Sequence, residues 1–184
     1  MTSVTTNMTA ERLLALGDIG RSELVRGELI RMSPAGPRHG GVASTLLILI
    51  GAFVRERQLG KTYAAKTGFI LSRDPDTVRA PDVAFVSKDR VHLTPKRGFF
   101  PGPPDLAAEV LSPDDSASDV LAKVEDWLNA GTVEVWIIDP DRKTVTVHAG
   151  VGDDHSVRTL HESNTLRCES LLPGFAVAVA EVFQ

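Results

Sequence analysis

Two carboxylates in this chain stand where carboxylates are costly. Asp82 sits in Ala80-Pro-Asp-Val-Ala-Phe-Val86, and Glu109 sits in the middle of Leu106-Ala-Ala-Glu-Val-Leu-Ser-Pro113. An acid inside an apolar strand costs several kcal/mol to bury unless it is paired or holds a cation. Downstream, Lys123 lies beside the apolar stripe Val120, Val124 and Leu128, at i−3, i+1 and i+5, and not opposite it. Two acids and an amine are the parts of a site that hydrolyses phosphodiesters with a divalent cation. Such an ion binds a nonbridging oxygen, lowers the pKa of a water and offsets charge in the transition state. Hard cations take oxygen ligands, so Asp82 and Glu109 are suitable types, and the backbone carbonyl of Val110 would add a third. Lys123 would orient the attacking water or stabilise phosphate oxygens.

Each residue also has an ordinary reading. Asp82 follows a proline at a strand start, where acids accept turn hydrogen bonds. Glu109 could face solvent at a sheet edge, and a helical lysine is by default solvated. Glu28 reads as an exposed strand acid. His39 opens a helix after Pro37-Arg38; capping is its plain role, and phosphate contact or proton relay its functional one. Arg38 has an anion contact as its functional reading. Trp127 and Trp136 read as core aromatics. Cys168 is the one cysteine and reads as inert, and His148, His155 and His161 are spaced too irregularly for a zinc motif.

The elements that must position these groups are readable in outline. Thr9 caps a short helix. Glu23-Leu-Val-Arg and Glu28-Leu-Ile-Arg-Met form two strands joined at Arg26-Gly27. A helix runs from about His39 to Gln58; its near absence of charge predicts that most of its surface is buried. Thr62 to Leu71 reads as one strand, bulged at Gly68. Val83 to Val86 is a strand with Asp82 at its start, and Val91 to Pro104 is an irregular loop. Leu106 to Leu111, a helix over Ser116 to Ala130 and Val133 to Ile138 make a strand-helix-strand step, which usually gives a parallel crossover. Lys143 to His148 and Ser156 to Leu160 form outer strands around a Gly150/Gly152 turn. The fold class is α/β (α+β): a mixed central sheet with helices on its faces. Residues 1–8 read as disordered and 9–184 as one domain.

The 184 residues carry a formal net charge of −4, which counts against a general, backbone-driven grip on nucleic acid. The charge is uneven. From Arg55 to Gly98 there are ten Lys/Arg against five Asp/Glu; from Asp105 to Asp154 there are three against twelve. The basic middle suits a polyanion if it gathers in space. The first ten residues lack the basic flank and apolar core of a signal peptide. The stretch Val42 to Val54 reads as too short and too interrupted to cross a bilayer. These features predict a cytoplasmic protein with no membrane partner.

As a set, Pro81-Asp82, Glu109-Val-Leu-Ser-Pro113, Lys123 and Gly131-Thr-Val-Glu-Val-Trp-Ile-Ile-Asp-Pro140 resemble the Uma2 family. The likeness extends from Leu24-Val-Arg-Gly-Glu-Leu-Ile30 through Arg38-His-Gly40. That family belongs to the restriction-endonuclease-like superfamily of metal-dependent nucleases. The resemblance implies a restriction-endonuclease-like core and a DNA endonuclease using Mg2+ or Mn2+. The superfamily pattern is an Asp, then Glu-x-Lys on the next strand; here the second residue after Glu109 is Leu111. The resemblance therefore implies a lysine relocated to the following helix, Lys123. It also makes Glu28 an extra metal ligand, with His39 in support. Nucleases that cut both strands are commonly two-fold dimers, so a homodimer through the strands after Asp139 is expected. The alternative is a member that kept the fold without the chemistry, as a DNA-binding or protein-interaction module.

Overall fold

The structure is a computed structural model that describes residues 7–113, 115–150 and 154–184. Its centre is a six-stranded sheet. From one edge to the other the strands are β11 (Ser156–His161), β10 (Thr144–Ala149), β9 (Glu134–Asp139), β8 (Leu106–Val110), β6 (Val83–Ser87) and β3 (Gly60–Ala64). Only β8 and β9 run parallel within it, and α3 (Ala117–Ala130) joins them, as the strand-helix-strand spacing predicts. Ser116 caps α3 by accepting from the Asp119 N–H at 3.1 Å, and Gly131, at φ 106°, ends it.

Two helices cover the two faces of this sheet. Along β8, Leu106, Ala108 and Val110 pack toward α2 (Pro37–Arg57) in one core, while Ala107 packs with Val124, Trp127 and Leu128 of α3 in the other. The period of two puts Glu109 on the α3 face, beneath Trp127 and Lys123. The C-terminal segment closes the α2 side with a small pair, β12 (Thr165–Arg167) and β13 (Ala176–Ala178), and a last turn, α4 (Val179–Val182).

A second sheet holds β2 (Glu28–Arg31), β1 (Ser22–Val25), β5 (Thr77–Arg79), β4 (Phe69–Ser72) and β7 (Phe100–Pro101), in that order. With α1 (Ala10–Ala15) it buries a smaller core around Leu13, Leu24 and Val78. Thr9 accepts from the Arg12 N–H at 3.3 Å, the cap expected of it.

Four expectations are corrected. Thr62 to Leu71 is not one strand: the chain turns at Lys66, φ 73°, and passes from the first sheet to the second. Gly68 sits at that passage because Phe99 lies where a side chain would go; a Cβ there would come within 2.4 Å of its ring. Helix α2 is not mostly buried. It buries one stripe, His39, Val42, Leu46, Ile50 and Val54, and leaves Ile48 68% exposed. Its 21 residues are, by length and composition alone, long and apolar enough to cross a membrane, which the shorter window Val42 to Val54 concealed; in this fold that stripe lies on the sheet. Finally, Met8 is held by its N–H, 2.9 Å from the Gly27 carbonyl, and packs on the smaller core. Of the predicted N-terminal disorder, Asn7 is also described, and residues 1–6, with Gly152 of the predicted turn, lie outside the described residues.

Candidate active site

Asp82 follows the Ala80-Pro81 bridge that carries the chain from β5 of the second sheet into β6 of the first. It is 3% exposed, and both carboxylate oxygens are engaged. Oδ1 accepts from Arg21 Nη2 at 2.9 Å. Oδ2 accepts from the Val110 N–H at 2.9 Å and lies 3.1 Å from His39 Nε2. A carboxylate can only accept, so His39 meets it with a protonated Nε2. Burial pushes the Asp82 carboxyl up, but the His39 and Val110 hydrogen bonds and the nearby His39 and Arg21 charges outweigh it and hold it below the usual range.

Glu109, 4% exposed, is satisfied differently. Oε1 accepts from Trp127 Nε1 at 3.1 Å, and Oε2 stands 3.9 Å from Lys123 Nζ. Trp127 and Lys123 lie four residues apart on α3 and so share its inner face. Burial pushes the Glu109 carboxyl up to about 8; Asp82 and Glu23 push the same way, while Lys123 and the Trp127 N–H act against them. The buried setting thus favours the protonated Glu109 carboxyl. The Lys123 ammonium is correspondingly held above its ordinary value: burial opposes this, but Glu109, Glu23 and Asp115 prevail.

These side chains meet in one open cleft of about 300 Å³, lined by Arg21, His39, Asp82, Glu109 and Lys123 beneath the turn Ser33 to Gly36. Pro37 at the first position of α2 starts the helix there and places His39 within its first turn. The expected residues Asp82, Glu109, Val110, Lys123 and His39 are therefore brought together.

The family model described as "Uma2: Putative restriction endonuclease" matches residues 10–180. The chain belongs to the Uma2 family. A solved structure from Anabaena variabilis, described as a "putative nuclease belonging to DUF820", shares the fold with a TM-score of 0.82. It is 21% identical and the match covers 96% of this chain and 97% of that one. No curated protein matches.

In this Uma2 chain one expected site residue is misplaced. Glu28 opens the edge strand β2, pairs with Val25 across the hairpin, is exposed and lies outside the cleft. The buried acid of that hairpin is Glu23. Its Oε2 accepts from Arg79 Nη1 at 2.7 Å and its Oε1 from the Ala80 N–H at 3.1 Å. Arg79 also donates through Nε and Nη2 to Asp126 Oδ2, at 2.9 and 2.6 Å. Asp126 is one turn beyond Lys123, so this buried network fastens the lysine-bearing helix to the second sheet. Arg38 points away from the cleft and pairs with Asp141 and the Pro140 carbonyl.

Arg21 was not foreseen: an arginine in a Gly-Arg-Ser turn carries no signal. Glu23 carried little more, since it follows Arg21-Ser22 and precedes only Leu24-Val25, without the apolar run on both sides that singles out Glu109. Trp127 reads as core, and it is fully buried, but its N–H serves the site.

The implied divalent cation fits this donor set in part. Among the described residues no group of three or more His, Cys, Asp or Glu converges to hold a metal. Two carboxylates do converge, and Mg2+ is characteristically held by one or two carboxylates with waters and substrate oxygens supplying the rest. The ionised form of Glu109 is poorly stabilised in this buried setting, and a cation would stabilise it. The Arg21 contact on Asp82 Oδ1 must loosen for that oxygen to serve.

Proposed function

We propose that this protein is a metal-dependent endonuclease that hydrolyses phosphodiester bonds of DNA. The Uma2 family is nuclease-like, and the observation that supports the finer reading is the convergence of Asp82, Glu109 and Lys123 in one solvent-open cleft. Mg2+ or Mn2+, when bound, would supply Lewis-acid activation of a water and charge neutralisation at the phosphate. Asp82 and Glu109 would hold it, with the Val110 carbonyl beside them. Lys123 supplies a positive charge where phosphate charge builds up. His39, hydrogen-bonded to Asp82, keeps that carboxylate ionised and aimed into the cleft.

The test is incubation with plasmid DNA and Mg2+ or Mn2+. Nicking or linearisation is expected, with Asp82→Ala and Glu109→Ala each inactive. Cleavage that survives both changes removes these residues from the mechanism.

One observation favours a second reading, a module that kept the fold without the chemistry. Arg21, His39 and the Val110 N–H already satisfy Asp82. Calorimetry separates the two: no heat and no gain in thermal stability on adding Mg2+ or Mn2+ favours the second. For a dimer, β11 is the available edge of the six-stranded sheet, with Ser156 to Thr159 exposed. Light scattering that reports only monomer removes it.

A further inference from the structure

Away from the cleft, a hollow of about 590 Å³ opens between the second half of α2 and the start of β3. Arg55, Lys61 and Lys88 line it, with Gln58 and Thr62, and no acidic residue does. Among the described residues none of the three cations has an ion-pair partner, although Glu56 and Asp89 are their neighbours in sequence. Three exposed cations gathered round one hollow without an acid, in a chain of net charge −4, are a local departure from the protein's overall balance.

The position of this hollow gives it meaning. The chain reverses between α2 and β3 at Gln58, φ 53°, so the two elements lie side by side and run in opposite directions. Gly51 lets them approach, since a Cβ there would meet Thr62 Oγ1 at 3.3 Å. At the other end of this same seam, a hollow of about 540 Å³ lies between the first half of α2 and Ala64 to Lys66, with Lys66 at its side. That second hollow contains Arg21, His39 and Asp82, so it opens directly into the candidate active site. From His39 to Arg55 is about 24 Å by helical rise. Along a duplex axis that is the length of about seven base pairs.

We propose that the α2–β3 seam is a nucleic-acid backbone track, with Arg55, Lys61 and Lys88 as a remote phosphate-binding station for the strand whose scissile phosphate lies at Asp82 and Glu109. This rests on the nuclease reading and adds to it where the substrate lies and which residues hold it outside the reacting centre. The three cations touch phosphates and not bases, so they contribute affinity and register without sequence preference. Placing them on one seam concentrates a positive field that the net charge would otherwise hide.

The test separates binding from chemistry. Binding of a fluorescent 20-base-pair duplex is measured in Ca2+ across a series of salt concentrations, for the full chain and for Arg55→Ala/Lys61→Ala/Lys88→Ala. The control is Lys143→Ala/Arg158→Ala/Arg167→Ala, in the turn before β10, on β11 and on β12, outside both hollows. Hydrolysis of bis(p-nitrophenyl) phosphate is followed in parallel with Mn2+. The slope of log K against log salt should fall by about two to three in the seam variant and remain unchanged in the control. Hydrolysis of the small ester should be equal in all three. An unchanged slope in the seam variant, or an equal loss in the control, overturns the track while leaving the nuclease reading intact. A wild-type protein that cleaves the small ester but shows no salt-dependent duplex binding also overturns it. No hydrolysis of the ester by any form defeats the nuclease reading instead. Preference of the seam for anionic vesicles over the duplex, measured by co-sedimentation, reassigns the surface to a membrane and overturns the proposal.

Discussion

Lys123 Nζ stands 3.9 Å from Glu109 Oε2, too far for a hydrogen bond and close enough for a strong field in a buried setting. The gap leaves the carboxylate accessible from the cleft while the ammonium remains beside it. Replacing Lys123 with Met should keep the aliphatic packing along α3 and remove the charge. We expect DNA cleavage to fall on the order of 10²- to 10³-fold, the range seen when one preorganised electrostatic group is lost. Plasmid nicking rates measure it, with circular dichroism confirming the fold. A variant of near wild-type rate would assign Lys123 to structure alone.

Glu109 should also set a pH dependence of stability. Its carboxyl is pushed from 4.5 to about 8 in the folded protein, chiefly by burial. The folded state therefore binds a proton that the unfolded state releases between those values. The resulting stabilisation is fully present below about pH 4.5 and is lost as pH rises toward 8. His148, lowered by burial and by His155, works in the opposite direction near neutrality, so the comparison needed is a difference. Wild type minus Glu109→Gln, from urea unfolding without divalent cations, should decline steadily from pH 5 to 8. Mg2+ should flatten the decline by stabilising the ionised carboxylate. A difference that is level across the range means that Glu109 is ionised throughout.

How much of this could be read before the fold was known differs from residue to residue, for physical reasons. Asp82 and Glu109 stand out because burying an acid is expensive, and that expense is a local property of the strand that carries it. The crossover through α3 is likewise local, written in a 3.6-residue apolar period between two apolar strands. Lys123 reads as suggestive because its place beside the stripe follows from helix geometry alone. Arg21 and Arg79 leave no such trace: each acts on a carboxylate more than forty positions away in sequence, and only the meeting of the two sheets creates the contact. Glu28 misleads because a hairpin strand exposes alternate residues, and the buried acid is on the partner strand at Glu23. The division of Thr62 to Leu71 between sheets depends on Phe99, which packs against Gly68 from a distant loop.

The Arg79 network makes a prediction about stability. Arg79 is 5% exposed and satisfies two carboxylates, Glu23 and Asp126. Arg79→Met keeps bulk but leaves Glu23 buried without its cation, and removing one partner of a buried pair costs about 3–5 kcal/mol. For a chain of this size that should lower Tm by about 6–20 °C. The double change Arg79→Met/Glu23→Gln should recover part of the loss, because the orphaned charge is gone. Calorimetric melting of the three variants measures it. Additive losses would mean that the contact between Arg79 and Glu23 contributes no coupling.

Arg21 poses the sharpest question about the metal. It occupies Asp82 Oδ1, the oxygen that a cation would need, and its side chain is 22% exposed, so it can swing into solvent. If Arg21 competes with the ion, Arg21→Met should tighten Mn2+ binding several-fold by calorimetry. The same change removes a positive charge that helps hold the Asp82 carboxyl down. The stability that Asp82 contributes is present above its unfolded pKa and is lost as pH falls through its folded value. With Arg21 gone, that acid loss should begin at higher pH. Cleavage need not follow affinity, because Arg21 also lines the cleft proposed to take the substrate, and its removal would deprive a phosphate bound there of a cation. Tighter Mn2+ binding with slower cleavage would identify Arg21 as a placeholder that moves from carboxylate to phosphate when substrate and metal arrive. Weaker Mn2+ binding would show instead that Arg21 holds Asp82 in its metal-binding position.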